Sequence, residues 1–186
     1  MGSAGNRKSR SAVLLTALVA CCTFPLFASG RRAPDLKLQN LEGQRQKLSA
    51  LRGHVVVVNF WATWCGPCQE ELPRLSEMAQ AWAGKGVRFV AVSIDDRKDR
   101  AKIGPMLARL HVVPNADFQI WIGSNSDTLA DFGLGEIVPG TVIIGPEGDI
   151  VARIMGEARK DDIRVPVDWL LNGRAGKAPA ALVKRY

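Results

Sequence analysis

An almost continuous hydrophobic run extends from Val55 to Trp61 and reads VVVVNFW. Because the run lacks polar alternation and its valines are β-branched, it predicts a strand buried on both faces, in the middle of a largely parallel sheet. Gly66-Pro67 then breaks the strand pattern. Beyond it, apolar side chains recur at helical spacing, at Leu72, Leu75, Met78, Ala79 and Trp82. The pattern therefore predicts that a strand ends near Cys65 and that a helix begins there.

Shorter patterns on either side predict the other elements of a single domain. Residues 33–38 and 44–48 alternate around a turn at 40–43, which predicts an N-terminal β-hairpin. Further strands are predicted at residues 87–94, 118–122, 141–144 and 149–154, and further helices at 97–110, 124–132 and 160–171. The order of strand, helix and strand favours parallel pairing through right-handed crossovers. Together these patterns indicate an α/β protein with a mixed central sheet flanked by helices.

Residues 1–30 have the layout of an export signal. Basic residues at positions 7, 8 and 10 precede a mostly apolar, uncharged segment at 11–28. Such a segment is typical of a secretory signal peptide or an N-terminal membrane anchor, and the preceding positive charge favours a folded domain outside the cytoplasm. Three fates stay open: cleavage at the small residues 28–30, lipidation of Cys21 in a lipobox-like tetrapeptide, or retention as a membrane tether. We expect an exported protein, in the periplasm or on the extracytoplasmic face of a bacterial membrane.

Length and charge narrow the class of protein further. The 186 residues suffice for this leader and one domain with a hydrophobic core. We place the domain at residues 31–173 and a basic, flexible tail at 174–186. The formal net charge is +7. Because no Lys/Arg cluster is interleaved with aromatic residues, we expect no nucleic-acid partner.

Beyond the leader the chain contains a single pair of cysteines, Cys65 and Cys68. One pair excludes a scaffold held together by several disulfides. A structural zinc site needs about four ligands, whereas this sequence has histidines only at positions 54 and 111 and no second CxxC. The pattern therefore predicts a redox-active dithiol with no metal and no organic cofactor.

The predicted position of Cys65 at the start of a helix has a chemical consequence. Unpaired N–H groups and the positive end of the helix dipole favour an anion there, and so favour the thiolate form of Cys65. The spacing places Cys68 on the same helical face, one turn further along. Cys65 is therefore the predicted attacking thiolate, and Cys68 is the more buried thiol that resolves the mixed disulfide.

Residues 60–68, which read FWATWCGPC, resemble the thioredoxin superfamily. With Asn59 before this string and Glu71 and Pro73 after it, the chain resembles the exported TlpA/ResA-like branch. Residues 40–53, which precede the predicted central strand, also resemble the redoxin family. The resemblance implies a thioredoxin-like fold and a thiol–disulfide oxidoreductase. In that branch the usual activity is reduction of selected protein disulfides, for instance in cytochrome c maturation, with electrons from a membrane thiol donor.

The resemblance also implies a surface that binds disulfide-bearing protein substrates. It places Pro139 in a cis peptide bond that faces the dithiol, with Val138 offering its backbone to a bound peptide. Trp64 is expected to form an apolar wall beside the cysteines. Gly66 and Pro67, which lie between the two cysteines in the sequence, are expected to contact the substrate.

Polar residues near the dithiol are interpreted through the same resemblance. Asn59 stands where ordinary thioredoxins have a buried aspartate, and because an amide cannot accept a proton, that route for deprotonating Cys68 is absent. The ResA-like branch has a glutamate near the dithiol at the position of Glu71, which implies a catalytic role for Glu71. The alternative is a solvated helix residue near a positive helix end. Asp95 and Asp96 are interpreted as loop acids.

Two other functions stay open from the sequence. The redoxin-like segment suits a thiol peroxidase, but a peroxiredoxin has threonine three residues before its cysteine, where this chain has Ala62 followed by Thr63. A copper or metal chaperone would use the dithiol for binding alone. Stoichiometric Cu(I) binding without disulfide exchange would support that interpretation.

Overall fold

The computed structural model of the chain describes residues 1–2 and 31–186. The interpretations placed on residues 3–30, including lipidation of Cys21, lie outside the described residues and stay predictions. Within the described ranges, no helix has both the length and the apolar character needed to cross a bilayer.

One mixed sheet organises the described part of the chain. Its strands are β1 (Lys37–Asn40), β2 (Arg45–Lys47), β3 (Val55–Trp61), β4 (Val87–Ser93), β5 (Phe118–Ile122), β6 (Gly140–Ile144), β7 (Ile150–Met155) and β8 (Leu182–Lys184). The helices are α1 (Gly66–Ala81), α2 (Ile103–Arg109), α3 (Asp127–Asp131) and α4 (Lys160–Leu171). The strand order is β2-β1-β5-β4-β3-β6-β7-β8. Central strand β3 pairs in parallel with β4 and antiparallel with β6, which confirms the predicted α/β class with a mixed sheet.

Strand β3 is buried along its whole length, as its sequence predicts. Successive side chains of a strand point to opposite faces of the sheet, and each face meets its own hydrophobic cluster. Trp61 packs in the cluster that includes Leu72 of α1 and Val167 of α4. Phe60 packs on the other face, where its ring lies 5.3 Å from that of Phe132. Both faces are covered, which explains the missing polar alternation and confirms that Trp61 belongs to the core.

Three of the helices contain an internal proline, Pro73 in α1, Pro105 in α2 and Pro166 in α4. The helix predicted at residues 97–110 is shorter in the structure, because α2 starts at Ile103 after a 3-10 turn at Arg100–Lys102. Pro105 fits the first turn of α2, where the backbone N–H groups have no intrahelical partner. Helix α1 continues through Pro73, so the loss of one backbone donor there does not end it.

The two edges of the sheet are short strands. Strands β1 and β2 pair antiparallel, with Leu38 opposite Gln46, and β1 also pairs with β5. At the other edge, β8 pairs in parallel with β7. Neither edge carries a functional candidate from the sequence. The dithiol follows β3, which lies in the interior of the sheet.

The prediction of a flexible tail at residues 174–186 is wrong, because this segment contains β8, which pairs with β7. Beside β8, the Arg153 amide donates to the Ala181 carbonyl at 3.0 Å. The Arg185 guanidinium donates to the Asp162 carboxylate at 2.9 Å. These contacts join residues far apart in the chain. The prediction missed them because a strand of 3 residues in a basic, small-residue segment leaves no periodic pattern.

Deleting residues 182–186 is expected to lower the free energy of unfolding by about 1–2 kcal/mol, since backbone hydrogen bonds contribute about 1 kcal/mol each. Urea denaturation measures this change. Deletion of Tyr186 alone is the control, because that residue is 77% exposed. Equal stability of the two truncated proteins would favour the flexible tail instead.

Candidate active site

The two cysteines lie where strand β3 passes into helix α1. After Trp61, the residues 62–65 form a turn, named here the active-site turn, in which the Cys65 amide donates to the Ala62 carbonyl at 3.2 Å. Cys65 is the N-cap of α1, and its Sγ accepts the Cys68 amide at 3.3 Å. The two sulfurs are joined in a disulfide. The structure confirms the position that the sequence predicts for this pair.

The two sulfurs have different environments. Cys65 is 6% exposed and Cys68 is 1% exposed, so Cys65 is the one that a partner can reach first. A helix N-terminus stabilises an anion through its free N–H groups and its dipole. Because the Cys68 amide already points at Cys65 Sγ, reduction of the disulfide would leave a thiolate in a site that stabilises it.

Exposed residues surround the dithiol on the side of the active-site turn. Trp64 is 65% exposed, and both Gly66 and Pro67 are exposed. The structure thus places all three on the accessible side of the cysteine pair. Their contact with substrates stays a prediction.

The start of strand β6 lies at the same edge of the sheet as the dithiol. Strands β6 and β3 are antiparallel with Gly140 opposite Phe60, so the residues before β6 lie beside those after β3. The Val138–Pro139 peptide bond is cis, as the resemblance implies. Pro139 is buried and Val138 half-buried, whereas the neighbouring Ile137 is 70% exposed. Sequence reasoning missed Ile137, because nothing in its local pattern marks an apolar residue for the surface.

Glu71 is fully buried, which rules out the alternative of a solvated helix residue. Its Oε1 accepts the Ala158 amide at 3.0 Å, and its Oε2 accepts the Asn59 side-chain amide at 3.2 Å. Burial raises the pKa of Glu71 from 4.5 to about 7, and the hydrogen bonds from Ala158 and Asn59 oppose that rise. Glu71 lies one turn beyond Cys68 on α1, so a group that titrates near neutral pH stands on the helix that carries the dithiol.

Asn59 connects Glu71 to the sheet. Its side-chain amide also donates to the Thr141 hydroxyl at 3.0 Å, while its own carbonyl oxygen Oδ1 is buried with no hydrogen-bond partner among the described residues. An amide does not titrate, so the buried acid of this site is carried by helix α1 through Glu71 and not by strand β3. The unpaired Oδ1 is an acceptor that a half-turn of the Asn59 amide would present to a protonated Glu71.

Asp95 lies in the loop after β4, as interpreted, but it is buried and is more than a loop acid. It is 1% exposed and accepts hydrogen bonds from the amide and hydroxyl of Thr63 and from the Ser93 hydroxyl. Asp96 is exposed, in line with the interpretation of that residue. The available signal was positional: Thr63 and Asp95 each follow the end of a predicted strand, but the register that pairs those strand ends is not visible in the sequence.

Comparisons with known proteins agree with this geometry. Residues 29–153 match the AhpC/TSA family. The thiol-disulfide oxidoreductase ResA of Geobacillus thermodenitrificans is 30% identical over 162 residues, which cover 82% of this chain and 89% of that protein.

Solved structures show the same similarity. A Chlorobium tepidum protein assigned as thiol:disulfide interchange protein DsbE is 28% identical, with a TM-score of 0.64 over 80% of this chain and 98% of that one. The thioredoxin domain of a thiol-disulfide oxidoreductase from Bacteroides vulgatus is 26% identical, with a TM-score of 0.65 over 78% of this chain and 99% of that one. With a buried-strand scaffold, a dithiol at a helix N-terminus and a cis proline at the same sheet edge, the chain belongs to the AhpC/TSA family and is a ResA-like thiol–disulfide oxidoreductase.

Proposed function

We propose that this protein is an extracytoplasmic reductase of selected protein disulfides. The observation that carries the proposal is the contact between Cys65 Sγ and the Cys68 amide at the start of α1, which prepares Cys65 to act as a thiolate. The similarity to proteins named thiol-disulfide oxidoreductase ResA supports the same reaction.

The reaction is a two-step exchange of sulfur–sulfur bonds. The Cys65 thiolate attacks one sulfur of the substrate disulfide, so a mixed disulfide forms and the first substrate thiolate leaves. Cys68 then loses its proton and attacks the Cys65 sulfur, which releases the second substrate thiolate and forms the disulfide seen between Cys65 and Cys68. Two electrons pass to the substrate. We assign Glu71 as the group that accepts the Cys68 proton, since it is the buried acid one turn along α1 and its pKa is about 7.

Substrate proteins would meet the dithiol between the active-site turn and the start of β6. Trp64 supplies an exposed apolar face, and Gly66 and Pro67 leave the approach to Cys65 open. On the other side, Val138 and the cis Pro139 would offer backbone to an extended segment of the substrate. A substrate must then pair with backbone on one side and contact an apolar face on the other. We therefore expect the substrate to present its cysteines on a flexible, extended segment.

The location and the electron supply rest on the leader and on the family. Residues 1–30 would direct the domain to the periplasm or hold it at the outer face of a membrane. A reductant in that oxidising compartment needs electrons from elsewhere, and a membrane thiol donor is the proposed source. Cytochrome c maturation is the proposed process, because it needs reduced cysteine pairs outside the cytoplasm.

The equilibrium reduction potential of the dithiol tests the direction of the reaction. We expect a value of about −250 mV or lower, close to that of thioredoxin and well below the value of about −120 mV of a strong oxidant. Equilibration against glutathione buffers, read by thiol alkylation, gives this value. A potential near that of the oxidants would reverse the proposed direction while leaving the exchange chemistry intact.

Thiol peroxidase activity is the second candidate, because the AhpC/TSA match covers most of the domain. The Thr63 hydroxyl donates a hydrogen bond to the Asp95 carboxylate at 2.6 Å. This hydroxyl is therefore not oriented toward a peroxide at Cys65. We therefore expect no turnover of hydrogen peroxide by the reduced protein. Rapid consumption of peroxide would place this candidate first.

A further inference from the structure

A buried carboxylate lies beside the turn that carries the dithiol. Strands β3 and β4 are parallel, with Trp61 opposite Ser93, so the segments that follow the two strands leave the sheet at the same edge. Thr63 and Asp95 each stand two residues beyond that pair. The register therefore brings the Asp95 side chain against Thr63, away from solvent.

Asp95 holds two donors of Thr63. Its Oδ2 accepts the Thr63 amide at 3.0 Å, and its Oδ1 accepts the Thr63 hydroxyl at 2.6 Å. Ser93 orients the carboxylate, since its hydroxyl donates to Oδ2 at 2.8 Å and accepts the Asp95 amide at 3.0 Å. Hydrogen bonds to a carboxylate are stronger than those between neutral groups, so this contact fixes the backbone at Thr63.

Helix α1 holds the remaining polar group of Thr63. The Thr63 carbonyl accepts the Gln69 side-chain amide at 2.8 Å, and Gln69 Oε1 accepts the Arg109 guanidinium at 2.7 Å. Thr63 is thus held from the sheet and from the helix at once. Trp64 follows it as the next central residue of the active-site turn and is exposed, so a fixed Thr63 also fixes the backbone from which the Trp64 side chain starts.

We infer that Asp95 is a positioning residue for exchange with protein disulfides, acting through Thr63 on the active-site turn. The inference rests on the proposed function, because it concerns how a protein substrate meets the dithiol. The Cys65 thiolate is stabilised separately, by the Cys68 amide at the start of α1. A small disulfide needs only that thiolate, whereas a protein disulfide must also fit against the Trp64 surface.

Two substitutions weaken this contact: Asp95→Asn replaces one acceptor oxygen by an NH2 donor, and Thr63→Val removes the hydroxyl donor but keeps the amide. We expect each to lower kcat/KM for insulin reduction about tenfold, mainly through KM, since a displacement of about 1 Å can cost up to 10²-fold. Reaction of the reduced variants with a small aromatic disulfide should stay within about twofold of wild type, because it follows the thiolate alone. Thr63→Ser keeps both donors and should restore insulin reduction. The double variant should lose less than the product of the two single losses, since both substitutions act on the same pair of residues.

Asp96→Asn is the matched control, because the Asp96 side chain is 79% exposed and the chemical change is the same one residue along. The inference is overturned if Asp95→Asn reduces insulin as fast as wild type, or if the insulin and small-disulfide rates fall together. If Asp95→Asn does not fold, the comparison of Thr63→Val with Thr63→Ser decides on the same terms. Failure of the proposed function is a separate result, in which the wild-type protein itself does not reduce insulin.

Discussion

Cys65→Ser will abolish the reduction of insulin by this protein. A serine hydroxyl is not ionised at neutral pH and does not attack sulfur, so the first exchange step stops. We expect a loss of about 10⁴-fold or more, the scale on which removal of a nucleophile acts in other enzymes. Insulin reduction, corrected for the rate with the chemical thiol donor alone, measures this loss.

Cys68→Ser will instead stop the reaction after the first step. Cys65 keeps its place at the N-terminus of α1, but no second sulfur is left to resolve the mixed disulfide. Non-reducing electrophoresis should show substrate covalently attached to the variant, and a thiol reductant should release it. Replacing Cys21 and Cys22 in the leader is the control and should leave insulin reduction unchanged. Wild-type turnover in Cys65→Ser or Cys68→Ser would refute the dithiol mechanism.

The parts of the fold that the sequence predicts are those encoded locally. The run of Val55–Trp61 predicts its own burial because six of its seven residues are apolar, and Gly66-Pro67 marks where the strand pattern ends. The position of the dithiol at a helix start follows from these neighbours alone. No contact from a distant part of the chain is needed to place Cys65.

The parts that the sequence does not predict depend on register between distant segments. Asp95 is buried because β3 and β4 end side by side, which brings it to Thr63 across 32 positions of the chain. Strand β8 pairs with β7, and next to it Arg185 donates to Asp162 across 23 positions of the chain. In each case the polar residue carries no mark of its partner, and charged or polar residues without a visible partner are expected at the surface. The prediction therefore fails where a long-range hydrogen bond reverses that expectation.

The burial of Glu71 belongs to the same class of long-range effects, since its partner Ala158 lies 87 positions away. The resemblance to ResA-like proteins implied its role, but the residue pattern alone left the solvated alternative open. The structure excludes the solvated alternative because Glu71 has no exposed surface, and the catalytic role stays a proposal. A buried acid with a raised pKa destabilises the native state when it is ionised. The effects of Glu71 on activity and on stability can be measured separately.

Glu71→Gln is expected to slow resolution of the mixed disulfide about 10²-fold, the low end of the usual contribution of a general base. In the wild type the rate should rise with pH through about 7, as the Glu71 carboxylate becomes available to accept the Cys68 proton. Glutamine keeps the size of the side chain but accepts no proton, so this inflection should disappear. Rapid-quench measurement of the decay of the mixed disulfide from pH 5 to 9 tests this expectation. Glu70→Gln is the matched control, because Glu70 is the exposed neighbour on α1.

Glu71→Gln should slow the reaction but raise the free energy of unfolding. Because burial raises the pKa of Glu71 in the native state from 4.5 to about 7, the native state binds this proton more tightly than the unfolded chain does. The contribution of Glu71 to stability is therefore fully present below about pH 4.5 and is lost as the pH rises to about 7. At about 1.4 kcal/mol for each tenfold difference in proton affinity, the charged form costs the native state about 3 kcal/mol above that range.

Glu71→Gln removes this cost, because the amide is neutral at every pH and the unpaired Oδ1 of Asn59 can accept from it. We expect the variant to exceed the wild type in urea denaturation at pH 8 by up to about 3 kcal/mol and to match it near pH 4.5. The difference between the two proteins cancels the other titrating groups, including Asp162, whose pKa the Arg185 side chain lowers. A slower but more stable variant would show that Glu71 is kept for proton transfer at the expense of stability. Wild-type rates together with a flat stability difference from pH 4.5 to 8 would show that the pKa of Glu71 is the same in the native and unfolded states and that Glu71 takes no part in proton transfer.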